Sequence, residues 1–376
     1  MSIVFLVIII TYGGANAYIA LRLHQWLSLL FPQINSAVYY CIFALVALST
    51  FLGFLPIQSD AKKVINWIGA HWMGIYVYLL IFCLVTDCVV VLCSLTGLIP
   101  RPLPQSTIFL RGLTALLLTA GVIGYGIYNA NQIKFVDYNV AIEGKTLSGD
   151  VRLVLISDLH LGAVHSERNL EKVIRGVNSL EPDVVCIAGD IFNGDINALS
   201  KPSRDMELLL EIKAKYGVYA SLGNHDGGRS YDEMARFLSH CNIKLLTDEY
   251  EIIDKRLILL GRVDPSPIGG FGGTRRADIA DVLSAMETDL PVVVMDHNPA
   301  RIEEYASEVD LILSGHTHRG QLFPGSLITH AMFSVDYGYR QKEADGPHVI
   351  VTSGAGTWGP PVRVGSNNEI VCIRLR

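Results

Sequence analysis

Charge is what the first third of this chain lacks. Over residues 1–132 the only Asp, Glu, Lys or Arg residues are Arg22, Asp60, Lys62, Lys63, Asp87, Arg101 and Arg111, whereas residues 133–376 carry charge at the density of an ordinary soluble domain. A stretch so poor in charge is excluded as the surface of a water-soluble fold. The 376 residues sum to a net charge of −6, which excludes the basic face that a general nucleic-acid binder needs. Zinc-type C-x-x-C spacing is absent. Seven cysteines (Cys41, Cys83, Cys88, Cys93, Cys186, Cys241, Cys372) are an odd number for a disulfide framework, so they read as small apolar filler. The glycine-rich "GGFGG" at 269–273 lacks the lysine and the strand–helix setting of a P-loop, and reads as a mobile loop near a site.

Long uncharged runs take the place of charge. They cover about residues 2–21, 37–56, 70–98 and 112–133, the third interrupted only by Asp87. About twenty apolar residues span a bilayer, so four transmembrane helices are expected over residues 1–132. A cleaved signal peptide does not fit, because the first run lacks a basic start and three more follow. Trp26, Trp67 and Trp72 lie near the expected ends, as an interfacial belt requires. Lys62, Lys63 and Lys134 on one side balance Arg22, Arg101 and Arg111 on the other, so the positive-inside rule leaves the side of the C-terminal domain open. An acid in mid-span suggests function by default. Asp87 is read instead as a side chain paired with a neighbouring helix, with His71 or Arg22 as partner.

From residue 133 the rhythm changes. "KFVDYNVAI" and "VRLVLISD" read as strands, "NLEKVIRGVNSL" as an amphipathic helix, "DVVCIAGD" as a strand, "DMELLLEIKAKY" as a helix and "GVYASLGNHD" as a strand. Such alternation predicts an α/β domain with parallel pairing, whose ligand sites gather at the carboxyl ends of strands. Five apolar runs in turn are followed by Asp158 and His160, by Asp190, by Asn224, His225 and Asp226, by His297, and by His316 and His318. Two histidines on the loop "GHTHRGQ" can serve two cations if a carboxylate bridges them at about 3.5–4 Å. Imidazole, carboxylate and amide donors without cysteine suit manganese, iron or zinc.

The ordered set "DLHLG", "GDIFNG", "GNHD", His297 and "GHTHRGQ" resembles the calcineurin-like metallophosphoesterases over about residues 150–376. The tail "SGAGTWGPPVRVG" is similar to their membrane-linked bacterial branch. The resemblance implies a layered α/β/β/α sandwich over 133–376 and a hydrolase of phosphoester or pyrophosphate bonds that works through metal-activated hydroxide. It implies two divalent ions, manganese first, with iron or zinc as alternatives. Asp158, His160 and His318 would hold the first ion, Asn224, His297 and His316 the second, and Asp190 would bridge. His225 would act on the phosphate or leaving oxygen, with Asp226 orienting it. Some members of that branch cleave UDP-2,3-diacylglucosamine in lipid A synthesis, so the implied partners are a membrane and a lipid-linked phosphoester.

Each residue alone has a plainer reading: His297 as a core or loop histidine, Asp190 as a helix N-cap. His165, His240, His330 and His348 match no ligand motif. Among Arg229, Arg262, Arg275, Arg276, Arg319 and Arg363, arginine's bidentate geometry suits phosphate, and Arg319 and Arg363 are the candidate substrate contacts. The rival readings are a diesterase for soluble nucleotides or envelope polymers, and an inactive membrane sensor or scaffold, against which the complete ligand set argues. A soluble domain starting fifteen to twenty residues after the last span would stay close to the bilayer, at no more than about 3.3–3.6 Å per residue.

Overall fold

The computed structural model describes residues 3–52, 60–142, 144–145, 147, 149–164, 167–286, 289–305, 308–341 and 346–376. The chain forms two compact units, one of Met1–Ile127 with Gly359–Pro361, the other of Tyr128–Trp358 with Val362–Arg376.

The first unit is helical: α1 (Ile3–Leu30), α2 (Ser36–Leu52), α3 (Asp60–Leu95) and α4 (Gln105–Ala130). The stretches Ala61–Leu95 and Gln105–Ala130 are long and apolar enough to cross a membrane, while α2 is a shorter apolar helix. The four expected runs fall on these helices with other bounds, and residues 53–56 of the second lie outside the described ones. Backbone bonding does not stop where apolarity does, so α1 continues to Leu30 and α3 begins in the polar Asp60–Lys63 turn. Ile19, Ala47, Trp72, Leu79, Cys83 and Ala115 pack between the helices. Asp87 is ion-paired with Arg22 at 2.5 Å and Arg111 at 3.0 Å, and accepts a hydrogen bond from Tyr18 Oη at 2.7 Å. His71 is not its partner; the imidazole bonds Trp67 O at 2.8 Å. Two arginines counted in the charge balance are thereby engaged inside the bundle.

The second unit holds β1 (Ile133–Val140), β2 (Val151–Ile156), α5 (Glu167–Ser179), β3 (Val184–Ala188), α6 (Pro202–Leu210), β4 (Val218–Ser221), α7 (Tyr231–His240), β5 (Ile243–Leu245), β6 (Glu249–Ile253) and β7 (Leu257–Gly261). It continues with α8 (Ile279–Ser284), β8 (Val292–Met295), β9 (Leu311–Ser314), α9 (Gly325–Met332), β10 (Gly338–Gln341), β11 (His348–Val351) and β12 (Asn368–Leu375). One sheet has the order β1-β12-β2-β3-β4-β5, the other β10-β11-β9-β8-β7-β6. β2 to β5 run parallel, as do β7, β8, β9 and β11.

Period-two side chains build the layers. Leu153 and Leu155 of β2 meet Leu259, Val293, Met295, Leu311 and Leu313 between the sheets. Val154 and Ile156 turn the other way, onto Leu170, Val173, Ile174 and Val177 of α5. On the far side Ile258, Val294 and Ile312 pack against Ile302, Tyr305 and α8. Each fully buried Val, Leu or Ile contributes about 1.5–3 kcal/mol, and it is this double-sided burial that makes the strands read as unbroken apolar runs.

Two elements differ from expectation. α6 starts at Pro202, a first-turn position that needs no N–H, and stops at Leu210 because Asn178 caps the exit: its Nδ2 donates to Glu211 O at 2.8 Å and its Oδ1 accepts from Lys213 N at 2.8 Å. β1 absorbs most of the expected tether, leaving Asn131 and Gln132 between α4 and β1. Within the second unit, which begins at Tyr128, Asn129 Nδ2 donates to Arg363 O (3.1 Å) and Ser366 O (2.8 Å), and Asn368 Nδ2 donates to Ala130 O (2.7 Å).

Candidate metal centre

Parallel strands end on one rim, and the two sheets bring two rims together. β2, β3 and β4 deliver Asp158, His160, Asp190, Asn224 and His225; β8 and β9 deliver His297, His316 and His318. The ladder continues past the strand ends, with His160 N donating to Asp190 O (3.0 Å) and Gly315 N to His297 O (3.0 Å). His297 Nδ1 meets Ala188 O at 2.8 Å across the sheets, which makes Nδ1 the donor and leaves Nε2 to face the site.

Two clusters result, Asp158 with His160 and His318, and Asp190 with His297 and His316. In the first, His160 Nε2 lies 3.0 Å from His318 Nε2, and His318 Nε2 lies 3.4 Å from Asp158 Oδ1. In the second, His316 Nδ1 lies 2.8 Å from Asn224 Oδ1 and 3.3 Å from His297 Nε2. Asp190 Oδ2 is 3.2 Å from His297 Nε2 and 3.6 Å from His160 Nε2, so one carboxylate oxygen reaches both clusters.

The donor set fits divalent cations. Imidazole nitrogens and acceptor oxygens converge with few protons to share among them, and a cation relieves such crowding. His160 also buries its Nδ1 without a hydrogen-bond partner. Burial pushes His160 and His316 down to about 3 and lowers His318, which keeps these imidazoles neutral as metal ligation requires. Burial would also lower His297, but the Asp190 carboxylate beside it raises it well above the usual value. Burial pushes Asp158 up to about 6.

The backbone is bent to serve this cluster. Asp158 (φ 55°), His160 (46°), Asp190 (51°), His316 (69°) and His318 (49°) all lie in the left-handed region. Each such residue costs on the order of 1–3 kcal/mol and persists only where its surroundings over-determine it. Glycines supply the room: a Cβ on Gly223 would lie 2.2 Å from Asp190 N and Oδ1, and one on Gly315 would lie 2.4 Å from Asp158 Oδ2.

Other expectations change. Asp226 does not orient the His225 ring; its Oδ1 accepts from Phe192 N (2.8 Å) and its Oδ2 from Gly223 N (2.9 Å), so it ties down the loop. Arg363 is fully buried; it donates to Ser353 O (2.7 Å), Gly356 O (2.6 Å) and His318 O (3.3 Å), behind the His318 loop. Arg262 and Arg276 are likewise internal, paired with Asp248 (2.9 Å) and Asp296 (2.7 Å). Arg319 stacks on Tyr337, 4.3 Å from the ring centroid. The "GGFGG" loop is anchored, not free: Phe271 is buried, Ile268 N donates to Asn224 O and Gly228 N to Gly270 O. Four cysteines, Cys83, Cys186, Cys241 and Cys372, are buried as expected; Cys41 and Cys88 are exposed. His240, His330 and His348 join neither cluster, and His165 lies outside the described residues.

Two neighbours of the site had no reading from the sequence. Asp264, just beyond β7, is 1% exposed, with Oδ2 unpartnered, and burial pushes it up to about 6. A sixth apolar run ending in an acid, "LILLGRVD", was the available signal. Trp358, half exposed, sits with its ring centroid 5.9 Å from that of His225.

Residues 151–320 match the family model described as calcineurin-like phosphoesterase. The chain is 29% identical to an uncharacterized metallophosphoesterase of Campylobacter jejuni, over 98% of this chain and 97% of that protein. It is 30% identical to a transmembrane protein with metallophosphoesterase domain from Danio rerio, over 96% of this chain and 83% of that protein. An uncharacterized metallophosphoesterase of Aquifex aeolicus is 31% identical, over 64% of this chain and 90% of its own length. The relatives thus come from bacteria and an animal alike.

Proposed function

Because this chain belongs to the calcineurin-like phosphoesterase family, a family of hydrolases of phosphoester bonds, we propose that its two clusters form one dinuclear centre that cleaves a phosphoester or pyrophosphate bond of a membrane-resident substrate. The observation that carries the dinuclear reading is the reach of Asp190 Oδ2 to both His297 Nε2 (3.2 Å) and His160 Nε2 (3.6 Å). Asp158, His160 and His318 would hold one ion and Asn224, His297 and His316 the other, with Asp190 as the carboxylate shared between them. Manganese suits this oxygen and nitrogen set, with iron or zinc as alternatives. Two bound cations lower the pKa of water and neutralise phosphoryl oxygens.

The chain's own groups supply the rest. His225 binds no ion; its N–H donates to Asp190 Oδ1 at 2.8 Å, which fixes the loop, and its ring stands 5.2 Å from that of His160, where it hands a proton to the leaving oxygen. Asp226 and Arg363 hold the loops that carry His225 and His318. Arg319, next to His318 and stiffened on Tyr337, is the arginine offered to the phosphoryl group.

The membrane part of the reading rests on α3 and α4, with α1 and α2 completing four passes, and on a relative named a transmembrane protein. A lipid-linked substrate, of the kind UDP-2,3-diacylglucosamine represents, is supported by an unusual surface. α9 follows the histidine loop, and Phe323 just before it and Leu327, Ile328 and Met332 on it are each at least half exposed. Large apolar side chains beside a phosphoester centre suit a substrate with both a phosphate and acyl chains.

The test uses full-length protein in detergent with bis-p-nitrophenyl phosphate, with and without manganese. Metal-dependent turnover is expected, lost together with metal occupancy in Asp190→Ala. Turnover equal to wild type in that variant overturns the dinuclear assignment. Comparing kcat/KM for a lipid-bearing phosphoester and its delipidated counterpart tests the substrate: a preference of about tenfold corresponds to about 1.4 kcal/mol, and equal values remove the lipid.

A further inference from the structure

An exposed tryptophan in an enzyme rim is an expense unless something covers it. Trp358 is 50% exposed, yet its backbone is held from both ends by one side chain: Gln321 Nε2 donates to Trp358 O (2.9 Å), and Trp358 N donates to Gln321 Oε1 (2.8 Å). Gln321 closes the "GHTHRGQ" loop three residues after His318, and its own N–H donates to His318 O at 3.0 Å. The indole is therefore referenced to the metal-site loop itself. Its ring lies beside that of His225, 5.9 Å away and tilted by 48°, and the His225 ring in turn faces that of His160.

We infer that Trp358 is the stacking platform for a planar ring carried on the leaving group of the substrate, such as a nucleobase. The inference rests on the phosphoesterase reading above and specifies which half of the ester is recognised. His225 protonates the leaving oxygen, so a half-exposed aromatic face beside His225 meets what is attached to that oxygen. A rigid indole of two side-chain torsions loses little entropy on binding, and every base offers it a π-face, so stacking tolerates differences in base identity.

The test reads binding rather than turnover. Uridine 5′-monophosphate and ribose 5-phosphate both present a phosphate monoester, and they differ in the base. Their dissociation constants are measured by calorimetry on manganese-loaded, full-length protein in detergent, for wild type, Trp358→Ala, Trp358→Leu and Trp358→Phe. The expected result is that Trp358→Ala and Trp358→Leu weaken the uridine compound about tenfold, within the range of base–aromatic stacking, and that Trp358→Phe largely restores it. Ribose 5-phosphate binds all four forms alike, which also certifies that the variants are folded. Binding of the uridine compound quenches tryptophan fluorescence in wild type and not in Trp358→Phe.

Equal weakening of both ligands shows a structural role for the loop and overturns the inference. Unchanged affinity for the uridine compound in Trp358→Ala also overturns it, while metal-dependent binding of ribose 5-phosphate leaves the phosphoesterase reading intact. Failure of wild type to bind either ligand with metal present brings down both.

Discussion

Replacing Arg363 by methionine separates two readings of that residue. As a substrate contact, it would be exposed and its loss would raise KM with little effect on folding. It is instead fully buried, and its guanidinium serves the carbonyls of Ser353, Gly356 and His318 and the hydroxyl of Ser366. Burial lowers it to about 10 against the opposing pull of Asp158 and Glu369, so it is still a cation at neutral pH. Each buried acceptor that loses its donor costs about 1–3 kcal/mol. Three such carbonyls sum to about 3–9 kcal/mol, and the lower part of that span matches the loss of about 3–5 kcal/mol seen when one partner of a buried charged contact is removed, which sets the expected magnitude. At about 2–4 °C per kcal/mol for a domain of this size, the thermal midpoint of the catalytic unit should fall by roughly 6–20 °C. Metal affinity should fall with it, because the carbonyl of His318 and its Nδ1, 3.2 Å from Arg363 Nη2, lose their support. Arg363→Lys should recover only part of the loss, since an ammonium cannot reproduce the planar fork. Differential scanning calorimetry with metal titration on the full-length protein measures both. A midpoint within about 2 °C of wild type, together with a raised KM and intact metal binding, would refute the scaffold argument and restore the substrate role.

Three further outcomes are expected. His225→Ala should keep about two metals per chain by elemental analysis and lose about 10²–10⁴-fold in kcat; loss of metal along with activity would make it a ligand instead. Metal affinity should rise with pH: the raised pKa of His297 means the site holds a proton below it, and the neutral imidazole that a cation needs appears only as that proton leaves. Calorimetry in buffers of different ionisation enthalpy should detect the released proton, and an affinity independent of pH between 6 and 8 would contradict the His297–Asp190 pairing. A fragment beginning at Tyr128 should be soluble and should cleave small phosphoesters. One beginning at Gln132 should be less stable by about 1–3 kcal/mol, because it loses the bonds of Asn129 and Ala130 to the 363–368 segment; identical denaturation midpoints would show those bonds to be idle.

The α/β rhythm and the strand-end residues were legible in the sequence because both depend on local properties. Strands buried on two faces read as apolar runs, and parallel strands must end on one rim, so Asp158, Asp190, Asn224, His297 and His316 could be assigned to one site before any coordinates. The apolar runs of the first 130 residues were legible for the same reason, though the helix ends were not, since helical hydrogen bonding continues through polar turns such as Asp60–Lys63. Contacts between residues far apart in the chain left no local trace. Nothing near Arg363 in sequence distinguishes a guanidinium turned inward onto three carbonyls from one turned toward a phosphate, because only packing decides the direction. Asp226 looked like a partner for His225 by adjacency, yet the turn of the loop aims its carboxylate at the amides of Phe192 and Gly223. Asp87 had Arg22 as a conceivable partner from the outset, but its second arginine, Arg111, comes from a different helix and is brought near only by the packing of the bundle. Trp358 is 133 positions away from His225 in sequence, yet their ring centroids approach to 5.9 Å once the loops have packed. Composition and periodicity determine which segments become strands and what stands at their ends; the direction of a side chain that leaves a loop is set by its neighbours across the fold, and those neighbours are known only once the sheets have packed.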